Sequence, residues 1–83
     1  MQLLYFAWVR ERLGKDAETV TKPADVATAG DLVDWLRRRG APYDGVLAER
    51  ARLRVAVNQE HAAWDAPVHE KDEVAIFPPV TGG

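Results

Sequence analysis

The spacing of apolar and polar residues changes its rule several times along this 83-residue chain, and each change marks an element. The opening run QLLYFAW, residues 2–8, is aromatic and aliphatic almost throughout, which predicts a strand covered on much of both faces. VRERLGKD then reads as a short helical turn that ends at Gly14 and passes into a loop at Lys15-Asp16. AETVTK, residues 17–22, predicts a weaker second strand from its β-branched Thr19, Val20 and Thr21, stopped by Pro23. The short link between these two strands predicts an antiparallel, hairpin-like pair.

A helical period follows. Leu32, Trp35 and Leu36 fall at i, i+3 and i+4 and form one apolar stripe. Thr28 is a good N-cap, and Asp31 three residues later resembles a capping box with a shorter carboxylate. Gly40 supplies a left-handed position after the last turn, giving a helix of about twelve residues. Residues 41–50, with Pro42 and Gly45, predict an irregular or short helical segment in which Tyr43 and Leu47 cover one edge of the core. The period then drops to two: Leu53, Val55 and Val57 alternate with Arg52, Arg54 and Ala56. Asn58-Gln59-Glu60 reverses the chain, residues 62–64 return, and VAIF at 74–77 is the last strand, with Val74 and Ile76 facing one way.

The first and last strands are the most continuously apolar, so they are expected to be central, adjacent and parallel. The pattern predicts an α+β domain of the ubiquitin-like, β-grasp kind, a mixed sheet with one principal helix packed across it. Residues 1–77 form the domain in this reading, and residues 78–83 form a flexible C-terminal tail.

Composition narrows the chemistry. With 47% apolar and 29% charged residues, the chain has the makings of a core, but so small a body has little depth for a pocket. An interaction module or carrier fits better than a self-sufficient enzyme. The absence of cysteine excludes disulfides, Cys-based metal sites and a thiol nucleophile, and no serine is present. His61 and His69 have no ligand-spaced partners, so both read as surface or turn residues and no metal site is expected. Glu11, Asp16, Asp44 and Asp72 fall in predicted turns or helix ends, where capping accounts for them. Trp8, Trp35 and Trp64 read as packing residues. Eleven basic against thirteen acidic residues leave no electrostatic footprint for nucleic acid. Arg37-Arg38-Arg39 reads as favourable charge on a helix end and a solvated face. The apolar run at 3–9 is too short for a membrane span and has no basic residue before it, so a cytoplasmic protein is expected.

The remaining reactive group is the α-carboxylate after IFPPVTGG. Phe77 precedes a proline and is biased to extended backbone; Pro78-Pro79 fixes φ twice and stiffens the exit. Gly82 and Gly83 carry no side chain, so the last peptide can enter a narrow channel. Six residues reach roughly 20 Å when extended. Turned into an acyl-adenylate, such a carboxylate acquires a leaving group and accepts a sulfur or nitrogen nucleophile. A frayed terminus accounts for the tail residues alone equally well.

FPPVTGG resembles the C-terminal signature of the small, sulfur-carrier subunit of molybdopterin synthase, the MoaD family. YFAWVRERLGKD, with Phe6, Arg10, Glu11 and Gly14, resembles that family's opening strand and loop. VAVNQE at 55–60 and DEVAIFPPVTGG at 72–83 resemble its third strand and its closing strand with tail. Lys71 stands where the family usually has glycine, which leaves the turn before the last strand open; Arg10 and Glu11 read as a loop ion pair.

The resemblance implies that an adenylating, E1-like partner using ATP and Mg²⁺ activates Gly83. A sulfur donor protein then makes its thiocarboxylate, which delivers sulfur to cyclic pyranopterin monophosphate in the large synthase subunit, within a heterotetramer. No cofactor is expected on this chain itself. The tail residues Pro78, Pro79, Val80, Thr81 and Gly82, with Phe77 and an apolar surface near the last strand, are the expected partner contacts. Other readings of the same tail are a protein modifier joined to lysines through Gly83, a carrier for another pathway such as thiazole synthesis, and a plain β-grasp binding module.

Overall fold

Along β1 (Gln2–Tyr5), Leu3 and Tyr5 point into the core while Gln2 and Leu4 point away, and β5 (Glu73–Phe77) repeats the pattern with Val74 and Ile76 inside. The computed structural model describes residues 1–79; the expectations for Val80, Thr81, Gly82 and Gly83 lie outside the described residues. The sheet order is β2-β1-β5-β3-β4, where β2 is Ala17–Thr19, β3 is Arg54–Val57 and β4 is Glu60–Ala62. β1 and β5 are central and parallel, and every other pairing is antiparallel. The ubiquitin-like β-grasp arrangement expected from the pattern is therefore present.

The first strand is shorter than its apolar run. Phe6 is still extended and donates its N–H to the Ile76 carbonyl at 3.2 Å. Ala7 then turns at φ 53° into helix α1 (Ala7–Leu13). Val9 and Leu13, four apart, bury against the sheet, and Gly14 at φ 78° closes the helix with its N–H on the Arg10 carbonyl, 2.9 Å away. Residues 2–8 are thus strand and helix in turn, and β1 and β2 are antiparallel without being a tight hairpin. Arg10 and Glu11 lie on α1, exposed, and form no ion pair with each other; adjacent positions on a helix do not face one another.

Helix α2 (Ala29–Arg37) starts at the expected capping box: Asp31 N–H donates to Thr28 Oγ1 and Thr28 N–H donates to an Asp31 carboxylate oxygen, both at 3.1 Å. It runs nine residues, not about twelve, because the chain turns off after Arg37 and reaches the left-handed Gly40 (φ 89°) through two non-helical residues. Gly30 donates to the Trp64 carbonyl at 2.7 Å, and a Cβ there would sit 3.2 Å from that oxygen, so the helix approaches this loop only without a side chain. A short helix α3 (Tyr43–Val46) and a 3₁₀ turn (Arg50–Arg52) lead to β3, with Tyr43 and Leu47 buried as expected. Side chains from α1, α2 and α3 join Leu3, Tyr5, Val55, Val74 and Ile76 in one cluster, so all three helices cover the same sheet face.

Two polar devices hold this frame. Glu18, on β2, accepts hydrogen bonds from the Tyr5 and Tyr43 hydroxyls, both at 2.8 Å, and from Arg39 at 3.0 Å. Burial pushes its carboxyl up, but the bonds from Tyr43, Tyr5 and Arg39 outweigh it and hold the carboxyl below its ordinary range. Burial, reinforced by Glu18, pushes the Tyr5 hydroxyl well up. The arginine run is thus more than a solvated face: Arg39 pairs with Glu18 and Arg37 with Asp44, both at 3.0 Å.

The second device is the β3–β4 reversal, made by two residues, Asn58 (φ 53°) and Gln59 (φ 70°), with Glu60 already in β4. Both central residues at positive φ match the twist of the strands they join. The Asn58 side chain donates to Asp72 and accepts from Glu73 N–H, both at 3.0 Å, tying the hairpin to the start of β5. That donation holds the Asp72 carboxyl low. Lys71, in the His69–Asp72 turn, is not among the residues at positive φ, so no glycine is required there.

Candidate docking face and tail exit

The face of the sheet opposite the helices follows from register. Leu4 pairs with Ala75, Ala75 with Ala56, and Ala56 with His61, so these four side chains form one row across four strands. The central two are alanines, which sink the middle of the row. Phe6 and Phe77 rise beside it, and the result is a shallow groove of about 760 Å³ that continues onto Pro78 and Pro79. Phe6 is 46% exposed, the one large apolar side chain so exposed among the described residues. The apolar character of the central strands was expected to mean cover on both faces; α1–α3 cover one face, and on the other Ala56 and Ala75 are buried only as the floor of the groove, between larger side chains. An uncovered apolar trough is the usual mark of a surface that meets a partner.

Phe77 was weighed between core and interface. Its side chain lies on the groove face, half-buried, with its ring centroid 5.3 Å from that of His61 and tilted by 60°. Ile76, one residue earlier, is completely buried on the other face. Phe77 therefore joins the groove to the tail exit, and Pro78 and Pro79 form the end of its wall. His61 was set aside in the sequence as an ordinary surface residue; its place here was hidden because it depends on the pairing of β4 with β3. Phe6 was noted within the opening motif without a role, and Ala56 and Ala75 went unremarked. An outward Leu4, Phe6, Ala75 and Phe77 at period two was the signal available.

The rest of the surface offers less for chemistry. No group of three or more His, Cys, Asp or Glu that could hold a metal ion occurs among the described residues. Trp8, Trp35 and Trp64 all pack against the core, each with an arginine guanidinium over its ring. No helix among the described residues is long and apolar enough to cross a membrane.

The ThiS family model matches residues 3–83. The chain belongs to the ThiS family. Over its whole length it is 42% identical to the molybdopterin synthase sulfur carrier subunit of Escherichia coli K12, covering 99% of that protein. Among solved structures it is similar to a putative molybdopterin converting factor subunit 1 of Pyrococcus furiosus, with 29% identity, 95% of each chain covered and a TM-score of 0.77. It also resembles the small archaeal modifier protein 1 of Haloferax volcanii, with 28% identity, a TM-score of 0.68, and 96% and 97% of the two chains covered. The resemblance drawn from FPPVTGG, VAVNQE and the opening motif is thereby borne out across the chain.

Proposed function

We propose that this ThiS-family protein is the sulfur-carrier subunit of a molybdopterin synthase. The full-length identity to a relative of that name supports the reading, together with an apolar groove that runs without a break into the Phe77-Pro78-Pro79 exit. In this reading the Gly83 carboxylate attacks the α-phosphate of ATP in an adenylating partner that also holds Mg²⁺, and pyrophosphate leaves. Sulfide released by a donor protein then displaces AMP and leaves a thiocarboxylate, which is both ionised and strongly nucleophilic near neutral pH, as a thiolate is. The groove docks on the large subunit while the tail, from Pro78 through Val80, Thr81 and Gly82, carries the sulfur to cyclic pyranopterin monophosphate. The chain contributes docking and reach, and the large subunit contributes the substrate pocket. On this reading the protein works in the cytoplasm.

The stiffness of two prolines lowers the entropy lost when the tail inserts. The groove supplies anchor residues of the type that dominate interfaces, an aromatic side chain beside a hollow.

The test is a mass spectrum of the tryptic tail peptide, residues 72–83, after incubation with the adenylating partner, ATP and a sulfur donor. That peptide contains neither Met nor Trp, so oxidation of those residues cannot imitate the mass change. An oxygen-to-sulfur gain is expected. An unchanged peptide, with a partner shown active on another carrier, rejects the reading.

The likeness to a small archaeal modifier protein favours one second reading, conjugation through Gly83 to lysines of other proteins. It predicts tail-derived remnants on target lysines in cells that express the protein, and their absence counts against it.

A further inference from the structure

Five of the eleven cations of this chain have a carboxylate within 4 Å among the described residues: Lys15 and Arg39 share Glu18, Arg37 has Asp44, Arg38 has Asp25 and Arg50 has Asp34. The others divide by place. Lys22 and Lys71 lie at the end of the sheet where β1 and β5 begin, near Glu70 and Asp72. Arg10 and Arg12 on α1, Arg52 in the 3₁₀ turn and Arg54 at the start of β3 all lie at the other end, where β5 finishes and the tail leaves. Arg54 is the register partner of Phe77 itself.

The contacts on Trp8 sharpen this contrast. Arg12 lies 4.7 Å and Arg52 5.4 Å from the centroid of the same indole. Every other cation stacked on an aromatic ring, namely Lys15, Arg39 and Arg50, also has a carboxylate partner. Glu11 and Glu49, close in sequence, make no ion pair with Arg12 or Arg52. Two like charges are thus gathered on one ring, toward the end of the sheet where Phe77 leads to the tail. Each contact contributes a cation–π attraction to the fold, yet together they bring two positive charges to one ring without a carboxylate partner for either.

We propose that Arg10, Arg12, Arg52 and Arg54 form a cationic collar around the tail exit that docks on carboxylates ringing the tail channel of the activating, adenylating partner. The inference rests on the carrier reading above and assigns it a second contact surface, distinct from the apolar groove. The activating partner is the better fit for two chemical reasons. A Mg²⁺–nucleotide site is built with carboxylates, which a cationic collar complements. The large subunit must instead hold a phosphate-bearing precursor, which calls for cations near the same mouth. The collar acts on encounter: clustered guanidinium groups steer an acidic surface into register before the tail enters.

The experiment measures association and dissociation rates of the full chain with the purified activating partner, across a range of salt concentrations. It compares wild type, Arg12→Gln/Arg52→Gln, and Arg12→Lys/Arg52→Lys. The wild-type on-rate should fall as salt rises, and the glutamine pair should associate about tenfold more slowly at low salt with a flatter salt dependence. Its off-rate should stay within about twofold, and the lysine pair should keep most of the on-rate, because steering reads charge and not the fork geometry of arginine. A role confined to packing Trp8 would instead lower the melting temperature and leave the salt dependence unchanged. Equal on-rates for wild type and the glutamine pair, or an equal loss toward the large subunit, overturn the proposal and leave the carrier reading standing. Failure of the wild type to bind the activating partner at all overturns both.

Discussion

Ile76 and Phe77 are neighbours on β5 and face opposite ways, so truncating each should separate folding from docking. Ile76 is fully buried between the sheet and the helices. Ile76→Ala removes buried carbon atoms and leaves a cavity in a core too small to collapse around it, a loss of about 2–5 kcal/mol. On an 83-residue chain each kcal/mol moves the midpoint by about 4–8 °C, so a melting temperature lower by at least about 8 °C is expected. Phe77 is only partly buried and lies on the groove face beside His61, so Phe77→Ala should cost folding less, about 1–2 kcal/mol. In docking the ring would lose its remaining exposure to a partner, and truncation of a central aromatic anchor costs about 2 kcal/mol or more. That corresponds to about a 30-fold weaker Kd. Thermal unfolding by circular dichroism and calorimetric titration with the large subunit read the two quantities on the same samples. Below its own midpoint, Ile76→Ala should bind within a fewfold of wild type. A Phe77→Ala variant that melts as early as Ile76→Ala and binds like wild type would show that the groove is only core left uncovered.

Three further outcomes are expected. Glu18→Gln should lower stability at neutral pH by about 1–2 kcal/mol through lost charge-assisted bonds to Tyr5, Tyr43 and Arg39. Because the folded carboxyl sits below its unfolded value, its contribution is complete above the unfolded value and disappears as pH falls through the folded one; urea melts of the two proteins should therefore differ at neutral pH and converge at acid pH. Asn58→Ala places a Cβ residue without a local side-chain bond at φ 53° and removes the ties to Asp72 and Glu73, so a loss of about 2 kcal/mol is expected in denaturant titration. Deleting Gly83, or adding one residue after it, should abolish thiocarboxylate formation in the tail-peptide mass spectrum and leave the melting curve unchanged; a sulfur gain on the altered tail would refute the requirement for Gly83 as the last residue.

Some features were legible in the residues because they depend on short-range rules. Thr28 with Asp31 is a capping box whatever lies around it, Gly14 and Gly40 stop helical turns through their own φ, and Val55, Val74 and Ile76 select one face by alternation. The role proposed for the tail rests on equally local arguments, the fixed φ of Pro78 and Pro79 and the missing side chains of Gly82 and Gly83 in the sequence, and neither needs a fold. The fold class followed because central strands without polar interruption have few places to go except the middle of a mixed sheet.

Tertiary structure decided what those local rules leave degenerate. An apolar run such as LLYFAWV serves a strand or a helix equally well, and only the burial of Val9 and Leu13 against the sheet turned its second half into α1. Whether an outward Leu4, Ala56, Ala75 and Phe77 would be covered could not follow from alternation, since period two identifies two faces without saying which elements pack on either. The helices all settled on one face, and the register of four strands then lined up two alanines with His61 as a trough leading to Phe77. The gathering of Arg12 and Arg52 on Trp8 is of the same kind: 40 residues of chain separate the two cations, and only the fold brings them to one ring.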